Sequence, residues 1–233
     1  MLALLGWNPG NDQELMTMDE LIKLFSIDHI SKSGARFNVE KAKWFNHEYL
    51  QKMSDEWLAD QFLPPLPAHG ITVTDNKQND RASQLSTLNS QFSTQYVVKV
   101  CSMMKERLNF PKELWDQAHY FFVAPTEYDP KAVAKRWKPG MPVHMAKVIE
   151  ILNTVPFEYE AIHHALLEEY ILGNQLNMGQ IMNSLRLAVV GTTVGPDMIT
   201  LVLTIGKEET IRRVQRAIDT LKKLRSEERR VGK

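Results

Sequence analysis

Apolar residues recur three and four positions apart over most of the chain, which is the spacing of one face of an α-helix. In the first such stretch Leu21, Ile22 and Phe25 fall on one stripe, and Thr17 with Glu20 forms a capping-box pattern at its start. The same spacing predicts helices over residues 18–25, 38–53, 95–108, 113–122, 143–152, 159–172, 178–190, 197–205 and 207–224. Since we find no alternating run of useful length for a strand, the pattern predicts an all-α fold.

Breaks in this pattern divide the chain. Three prolines within residues 63–70 fix φ and remove backbone donors, so we interpret this segment as a boundary or an exposed arm. Residues 72–90 are polar and are predicted to form a loop followed by a helix start. Pro196 suits the first position of the helix that follows it. We predict connector helices over 1–55, a first helical subdomain over 56–124 and a second over 125–224.

Composition and charge limit the classes of function. Lys plus Arg and Asp plus Glu are both 28, so any contact with nucleic acid must come from local basic residues and not from net charge. No apolar stretch approaches the ~18–20 residues of a membrane helix, so we expect no membrane partner. The single cysteine, Cys101, cannot form an internal disulfide, which fits a reducing cytoplasm.

The sequence offers little chemistry of its own. Neither a P-loop nor a GxGxxG pattern occurs. His163 and His164 precede two glutamates at helical spacing, but no third metal ligand is indicated, so we interpret them as a surface or packed pair. Cys101 lies in an apolar helix pattern and is interpreted as a small buried residue. Arg107 closes a predicted helix, where a cation is favourable, and Arg186 lies inside an apolar helix, where it needs a partner or solvent.

Several segments together resemble bacterial glutamyl-tRNA synthetases. At the start these are MLALLGWNPG, MDELIKLFS and SKSGARFNVEKAKWFN, and at the end LRLAVVG followed by Gly195-Pro196 and by LxxxIGKEExxxR. The resemblance extends in order to about Leu224, and it is weak over residues 61–93. It implies that the family's catalytic domain, which uses ATP and Mg, lies N-terminal to everything present here. We therefore expect no catalytic residue, cofactor or metal in this chain.

The resemblance also assigns binding residues. Arg107 aligns with an arginine that reads the third anticodon base, and Arg186, Gly195, Pro196 and Met198 align with a second cluster that holds anticodon bases. Gly195 stands where some members carry a hydroxyl residue, and Met198 where some carry leucine. In the stem-contact region, Lys32 and Lys43 are expected to contact the tRNA backbone. The implied partners are glutamate tRNA and the missing catalytic domain, within a monomeric, cytoplasmic enzyme.

Two other functions remain open at this point. The chain can be a stand-alone, non-catalytic tRNA-binding module, or a helical scaffold with no RNA role. The first residues resemble the middle of a helix without its N-cap, which favours a truncated ligase over a stand-alone module. The last nine residues, RSEERRVGK, match the translation of a common sequencing-adapter oligonucleotide, so we expect residues 225–233 not to be native.

Overall fold

The N-terminal region consists of short helices with defined caps. In this computed structural model, residues 1–32, 34, 36–74 and 90–231 are described, with only the backbone for 90, 91 and 222–231. The region contains the 3₁₀ turns Leu2–Leu5 and Ile27–His29, with helices α1 (Met18–Leu24) and α2 (Val39–Lys52). The capping box is confirmed, because the Thr17 hydroxyl accepts from the Glu20 amide at 3.2 Å and the Glu20 carboxylate accepts from the Thr17 amide at 2.7 Å.

The proline-rich segment and the two ends of the polar segment after it differ from the prediction, while the loop predicted over residues 75–89 lies outside the described residues. After α3 (Asp55–Phe62), the chain forms a 3₁₀ turn, Leu66–His69, whose Leu66 is fully buried, so this segment is not an exposed arm. Strands β1 (Ile71–Thr74) and β2 (Ser90–Ser93) then pair in parallel, with Ile71 opposite Ser90. The expectation of no strand was therefore wrong. Each strand has four residues, which is too short for alternation to be recognised.

Two predicted helices are shorter than their apolar patterns. Helix α4 (Thr94–Met104) ends before Arg107, and the 3₁₀ turn Lys105–Arg107 follows it. The stretch predicted as one helix over 113–122 consists of the 3₁₀ turns Pro111–Glu113 and His119–Phe121 on either side of α5 (Leu114–Ala118). Because 3₁₀ turns place apolar side chains every three residues, they share much of the α-helical pattern.

The remaining helices form the closing bundle. They are α6 (Pro130–Arg136), α7 (Met141–Thr154), α8 (Tyr159–His163, continued as a π-helix over His164–Leu172), α9 (Met178–Val190), α10 (Met198–Ile205) and α11 (Lys207–Val231). Asp197, and not Pro196, caps α10, so the predicted position of Pro196 was wrong by two residues. Asp197 takes the N-cap position because its carboxylate accepts a hydrogen bond from the Thr200 amide at 2.8 Å.

One hydrophobic cluster runs from Leu50 to Leu221 and crosses the predicted boundary at residue 125. Apart from Leu50 of α2, the N-terminal region lies outside this cluster, and several of its apolar side chains are exposed, with Leu2 75% and Ile22 68% accessible. None of the helices that the structure describes is long and apolar enough to cross a bilayer. The predicted all-α class is therefore right for the body of the chain, apart from its small parallel sheet.

Candidate nucleic-acid interface

Arg107 ends a short turn and its side chain is exposed. Three side chains of α2 donate to backbone carbonyls on either side of it: Gln51 to Lys105 at 3.0 Å, His47 Nδ1 to Leu108 at 2.8 Å, and Asn46 to Asn109. Because a carbonyl only accepts, Nδ1 of His47 carries the proton in this contact. Helix α2 thus fixes the backbone that presents Arg107.

Lys105 adds a second attachment for the same turn. Its Nζ pairs with the Asp55 carboxylate at 3.1 Å and also donates to the Met53 carbonyl. The Lys105 side chain is only 14% exposed, so solvent screens this ion pair less than a surface pair. The junction between α2 and α3 is therefore tied to the turn that carries Arg107.

Arg186 lies within α9 and is half-buried. Burial lowers its pKa, Tyr120 and Asp197 oppose this change, and the positive charge of Arg107 lowers the pKa again. Its Nη1 is buried, and no described residue accepts a hydrogen bond from it. A buried donor without a partner is costly, so this nitrogen is suited to an incoming acceptor.

Tyr120 and Gly195 define the space beside the Arg186 guanidinium. A Cβ atom on Gly195 would lie 2.7 Å from Arg186 Nη1 and 3.5 Å from the Tyr120 hydroxyl. Burial raises the pKa of Tyr120 to about 12, although the charges of Arg107 and Arg186 both lower it. The phenol therefore stays neutral at physiological pH and lies near both guanidiniums. The structure thus places Arg107, Arg186 and Gly195 around the Tyr120 phenol, and these four residues are called the arginine site below.

The guanidiniums of Arg107 and Arg186 act electrostatically on the same phenol and on each other, and Asp197 is the carboxylate that partly offsets the charge of Arg186. In the described part of the chain, neither Arg107 nor Arg186 forms an ion pair. Arginine carries only donors in a planar fork. The site is therefore complementary to a ligand with adjacent acceptors or negative charge, as on a nucleobase edge or a phosphate.

The turn after Gly195 serves mainly to support the site. Pro196 is buried, and Met198 is 2% exposed within the hydrophobic cluster. A direct contact from the Met198 side chain to a ligand is therefore not supported by its position. Val194, just before Gly195, is 70% exposed, and Asp197 is exposed after it.

Lys32 and Lys43 lie in the N-terminal region. Lys32 is exposed, and Lys43 forms a 3.0 Å pair with Glu40 on its own helix. Lys43 lies one turn before Asn46 and His47, so it shares the α2 face that holds the Arg107 turn. No described contact joins either lysine to the arginine site, so both remain expectations as backbone contacts.

Sequence reasoning missed Tyr120 and the three α2 side chains. Tyr120 was counted within an apolar helix, and its hydroxyl gave no signal of a position between two arginines. His47 and Gln51 are polar residues four apart on one helix, with Asn46 next to His47, and this spacing is the signal of a polar face that binds something. Their partners are backbone carbonyls more than 50 residues away, which no sequence pattern identifies.

The other chemical candidates carry no site. Cys101 is buried, and burial raises the pKa of its thiol to about 12. His163 and His164 lie 3.4–3.6 Å from the carboxylates of Glu168 and Glu169, as surface pairs. Over the described ranges, no three His, Cys, Asp or Glu side chains are arranged to hold a metal ion.

A comparison with protein families gives a match that covers most of the chain. Residues 39–218, which include every residue of the arginine site, match the family described as the anticodon binding domain. The chain belongs to this anticodon-binding domain family. The match begins at α2 and ends within α11, so the helix that holds the Arg107 turn is part of the family domain.

Relatives of this anticodon-binding domain are glutamate–tRNA ligases, as the sequence resemblance implied. The glutamate–tRNA ligase of Parabacteroides distasonis is 46% identical over 222 residues, and that of Phocaeicola vulgatus is 44% identical over 221. A crystal structure of a glutamate tRNA ligase from Elizabethkingia meningosepticum aligns with a TM-score of 0.78 and 38% identity over 94% of this chain. In each case the chain spans 40% of the relative's length.

Proposed function

We propose that this chain is the anticodon-recognising part of a glutamate–tRNA ligase, an enzyme that attaches glutamate to its tRNA with ATP. The observation that supports this most is that Arg107 and Arg186, which lie on either side of residue 125, both act on the Tyr120 phenol, while one guanidinium nitrogen of Arg186 is buried without a described acceptor. Single-stranded RNA loops suit such a site because their unstacked bases expose hydrogen-bonding edges.

Base chemistry supports a reading role for Arg107. Glutamate anticodons end in cytosine, whose Watson–Crick edge offers the adjacent acceptors O2 and N3. An exposed arginine fork donates to both. Glutamine anticodons end in guanine, whose N1–H and N2–H₂ are donors and oppose the same fork. Arg186 and the backbone near Gly195 then hold a neighbouring base or phosphate.

The remaining chemistry is assigned to the rest of the ligase. ATP and Mg belong to a catalytic part that this chain does not match, and the chain alone does not charge tRNA. We place the enzyme in the cytoplasm as a monomer, with Lys32 and Lys43 against the tRNA backbone. The greater length of the relatives supports this division between the chain and the rest of the ligase.

An apolar groove supports contact with that other part. Leu2, Met18, Ile22 and Phe25 are 54–75% exposed, and with Leu21 and Phe45 they line one groove between α1 and α2. Exposed apolar patches of this kind mark interaction sites. The expected occupant is the portion of the ligase that this chain does not match.

A titration tests the tRNA assignment. The chain is titrated with glutamate tRNA and with glutamine tRNA at about 50 and 200 mM salt, the range over which phosphate contacts weaken most visibly. We expect tighter binding of glutamate tRNA and an affinity that falls with salt. Arg107→Gln removes one charge from the site, and Lys147→Gln removes one from the surface of α7 as a matched control. Equal affinity for both tRNAs would favour a module without anticodon choice, and no binding at low salt would favour a scaffold.

A second experiment tests the groove. The part of the Parabacteroides distasonis ligase that this chain does not match is mixed with the chain, and association is followed by sedimentation. Ile22→Asp, at 68% exposure, should abolish association, whereas Val143→Asp, at 72% exposure on α7, should not. Equal effects of the two variants would remove the groove from the proposal.

A further inference from the structure

Arg213 is a buried cation on α11, with only 1% of its surface exposed. Its Nε donates to the Glu209 carboxylate at 2.6 Å, and Glu209 is 5% exposed. Its Nη1 donates to two backbone carbonyls, Tyr120 at 2.6 Å and Val189 at 3.0 Å. The motif LxxxIGKEExxxR, which ends at Arg213, has no other role in the site described above.

The two carbonyls belong to the two sides of the arginine site. Tyr120 lies in the 3₁₀ turn His119–Phe121, and its phenol lies near Arg107 and Arg186. Val189 lies in the last turn of α9, three residues after Arg186. A single guanidinium nitrogen therefore joins the backbone that carries Tyr120 to the helix that carries Arg186, and this junction crosses residue 125.

Stability alone is a weak reason for such an arrangement. Burying an ion pair carries a desolvation cost that apolar side chains of similar volume avoid. Burial lowers the pKa of Arg213, which the hydrogen bond to Glu209 opposes. What a guanidinium offers beyond an apolar side chain is direction, because its planar fork fixes the position of each acceptor.

We propose that Arg213 is a positioning residue for anticodon recognition. One nitrogen of Arg213 binds the Tyr120 and Val189 carbonyls, and Glu209 holds Arg213 in place. Arg213 thereby sets the distance between Arg107 and Arg186 that the RNA has to match. The effect on tRNA rests on the proposed function, whereas the effect on geometry does not. Arg213 acts through these backbones, since it is buried and does not itself reach a ligand.

Matched variants separate the role of Arg213 from that of its pair with Glu209. Arg213→Lys keeps the charge but loses the fork. Arg212→Lys is the control, because Arg212 also binds Glu209, at 2.6 Å, but is 47% exposed and has no described partner elsewhere. We expect Arg213→Lys to weaken glutamate tRNA binding about tenfold, or 1.4 kcal/mol, under conditions where circular dichroism shows it folded. Arg212→Lys should leave binding unchanged.

A double-mutant cycle distinguishes positioning from a purely structural role. If Arg213 positions the site, Arg107→Gln will cost less affinity in the Arg213→Lys background than in the wild-type chain, because the two arginines no longer fit the same RNA together. Additive effects would mean that Arg213 only stabilises the fold, and would overturn the proposal.

A distance measurement tests the geometry without RNA. Nitroxide labels are placed through Glu56→Cys on α3 and Glu160→Cys on α8, both exposed, while Cys101 stays unlabelled because it is buried. Arg213→Lys should broaden or shift the distance distribution, and Arg212→Lys should not. If Arg213→Lys does not fold, Glu209→Gln replaces it and should act in the same direction.

The outcomes separate the two proposals. An unchanged distribution in the folded variant would overturn the positioning role, whatever tRNA does. A changed distribution in a chain that binds no tRNA would keep the geometric role of Arg213 and reject the function in anticodon recognition.

Discussion

Arg107 and Arg186 reach the same site, but their positions are fixed in different ways. Arg107 is exposed on a three-residue 3₁₀ turn, and side chains of α2 hold the carbonyls around it. Arg186 is half-buried within a 13-residue helix, and its tip packs into the space beside Gly195. The position of Arg107 thus depends on distant hydrogen bonds, and that of Arg186 on local packing.

This difference predicts that Arg107 selects between bases and that Arg186 contributes to overall affinity. An exposed fork on a short turn adjusts to a base with little desolvation, which suits discrimination between bases. A half-buried fork with an unpartnered nitrogen has already lost part of its hydration, so a ligand acceptor gains more from it. Changes near Arg107 should therefore alter which tRNA binds, and changes near Arg186 should alter how tightly any tRNA binds.

The largest expected effect is on base choice. Arg107→Gln should reduce the preference for cytosine over guanine at the third anticodon position by ~1–3 kcal/mol, or about 5- to 150-fold. The physical reason is that glutamine offers both a donor and an acceptor, so it no longer opposes guanine. Binding of two tRNAs that differ only at this base measures the effect. An unchanged ratio would show that Arg107 is not the discriminating residue.

A smaller effect is expected on affinity at the Arg186 side. Gly195→Ala places a carbon 2.7 Å from Arg186 Nη1 and should displace this flexible tip, which weakens binding of both tRNAs about tenfold, or ~1.4 kcal/mol. Stability should also fall, by ~1–3 kcal/mol, because Gly195 has a φ of 157°, which a residue with a side chain adopts only with strain. Gly70→Ala is the control, since its φ of 76° is also unfavourable for a side chain but no atom lies within 4 Å of a Cβ there. Loss of base preference without loss of affinity would contradict the proposed division.

A smaller effect is expected on the stability of the chain when a hydrogen bond that holds the Arg107 turn is removed. Gln51→Ala removes the 3.0 Å bond to the Lys105 carbonyl and should lower the free energy of unfolding by ~0.5–1.5 kcal/mol. Glu48→Ala, on the same helix and without a described partner, should stay within ~0.5 kcal/mol of the wild type. Urea denaturation measures both. We also expect Gln51→Ala to weaken the choice between tRNAs more than the overall affinity for tRNA. The opposite result would show that the Arg107 and Arg186 sides do not have separate roles.

The smallest effect concerns the helix that precedes Arg107. Burial raises the pKa of Cys101 to about 12, so its thiol stays protonated and shielded in the native chain at pH 8. Iodoacetamide should therefore label it only in denaturant, whereas it labels an exposed cysteine at Glu56→Cys within minutes. Labelling of native Cys101 would show that α4 opens, and that the Arg107 side is less rigid than its hydrogen bonds indicate.

Most helices could be predicted because each pattern is local. The capping box at Thr17 and the boundaries of α9 follow from neighbouring residues, and both were predicted correctly. Helices α3 and α6 were not separated from their surroundings, since seven or eight residues give few repeats of the apolar period. The strands were missed for the same reason, and because parallel pairing joins segments that are distant in sequence.

The binding surface could be predicted only in part. Arg107 and Arg186 were identified through a family resemblance, whereas helix spacing alone favoured a C-terminal cation and a solvated arginine. Met198 was assigned to the site with them, yet its side chain is buried in the core. Periodicity shows which face of a helix is apolar, but not which neighbour covers it.

The sequence by itself determined the helical class, the caps, the neutral charge that limits RNA contact to local residues, and the two arginines worth testing. Only the tertiary structure decided that both arginines act on Tyr120, that Gly195 borders Arg186, and that α2 and Arg213 form hydrogen bonds with the backbone on the two sides. The reason is physical: helix propensity and capping act within a few residues, whereas a site between Arg107 and Arg186 depends on packing and hydrogen bonds that join residues far apart along the chain.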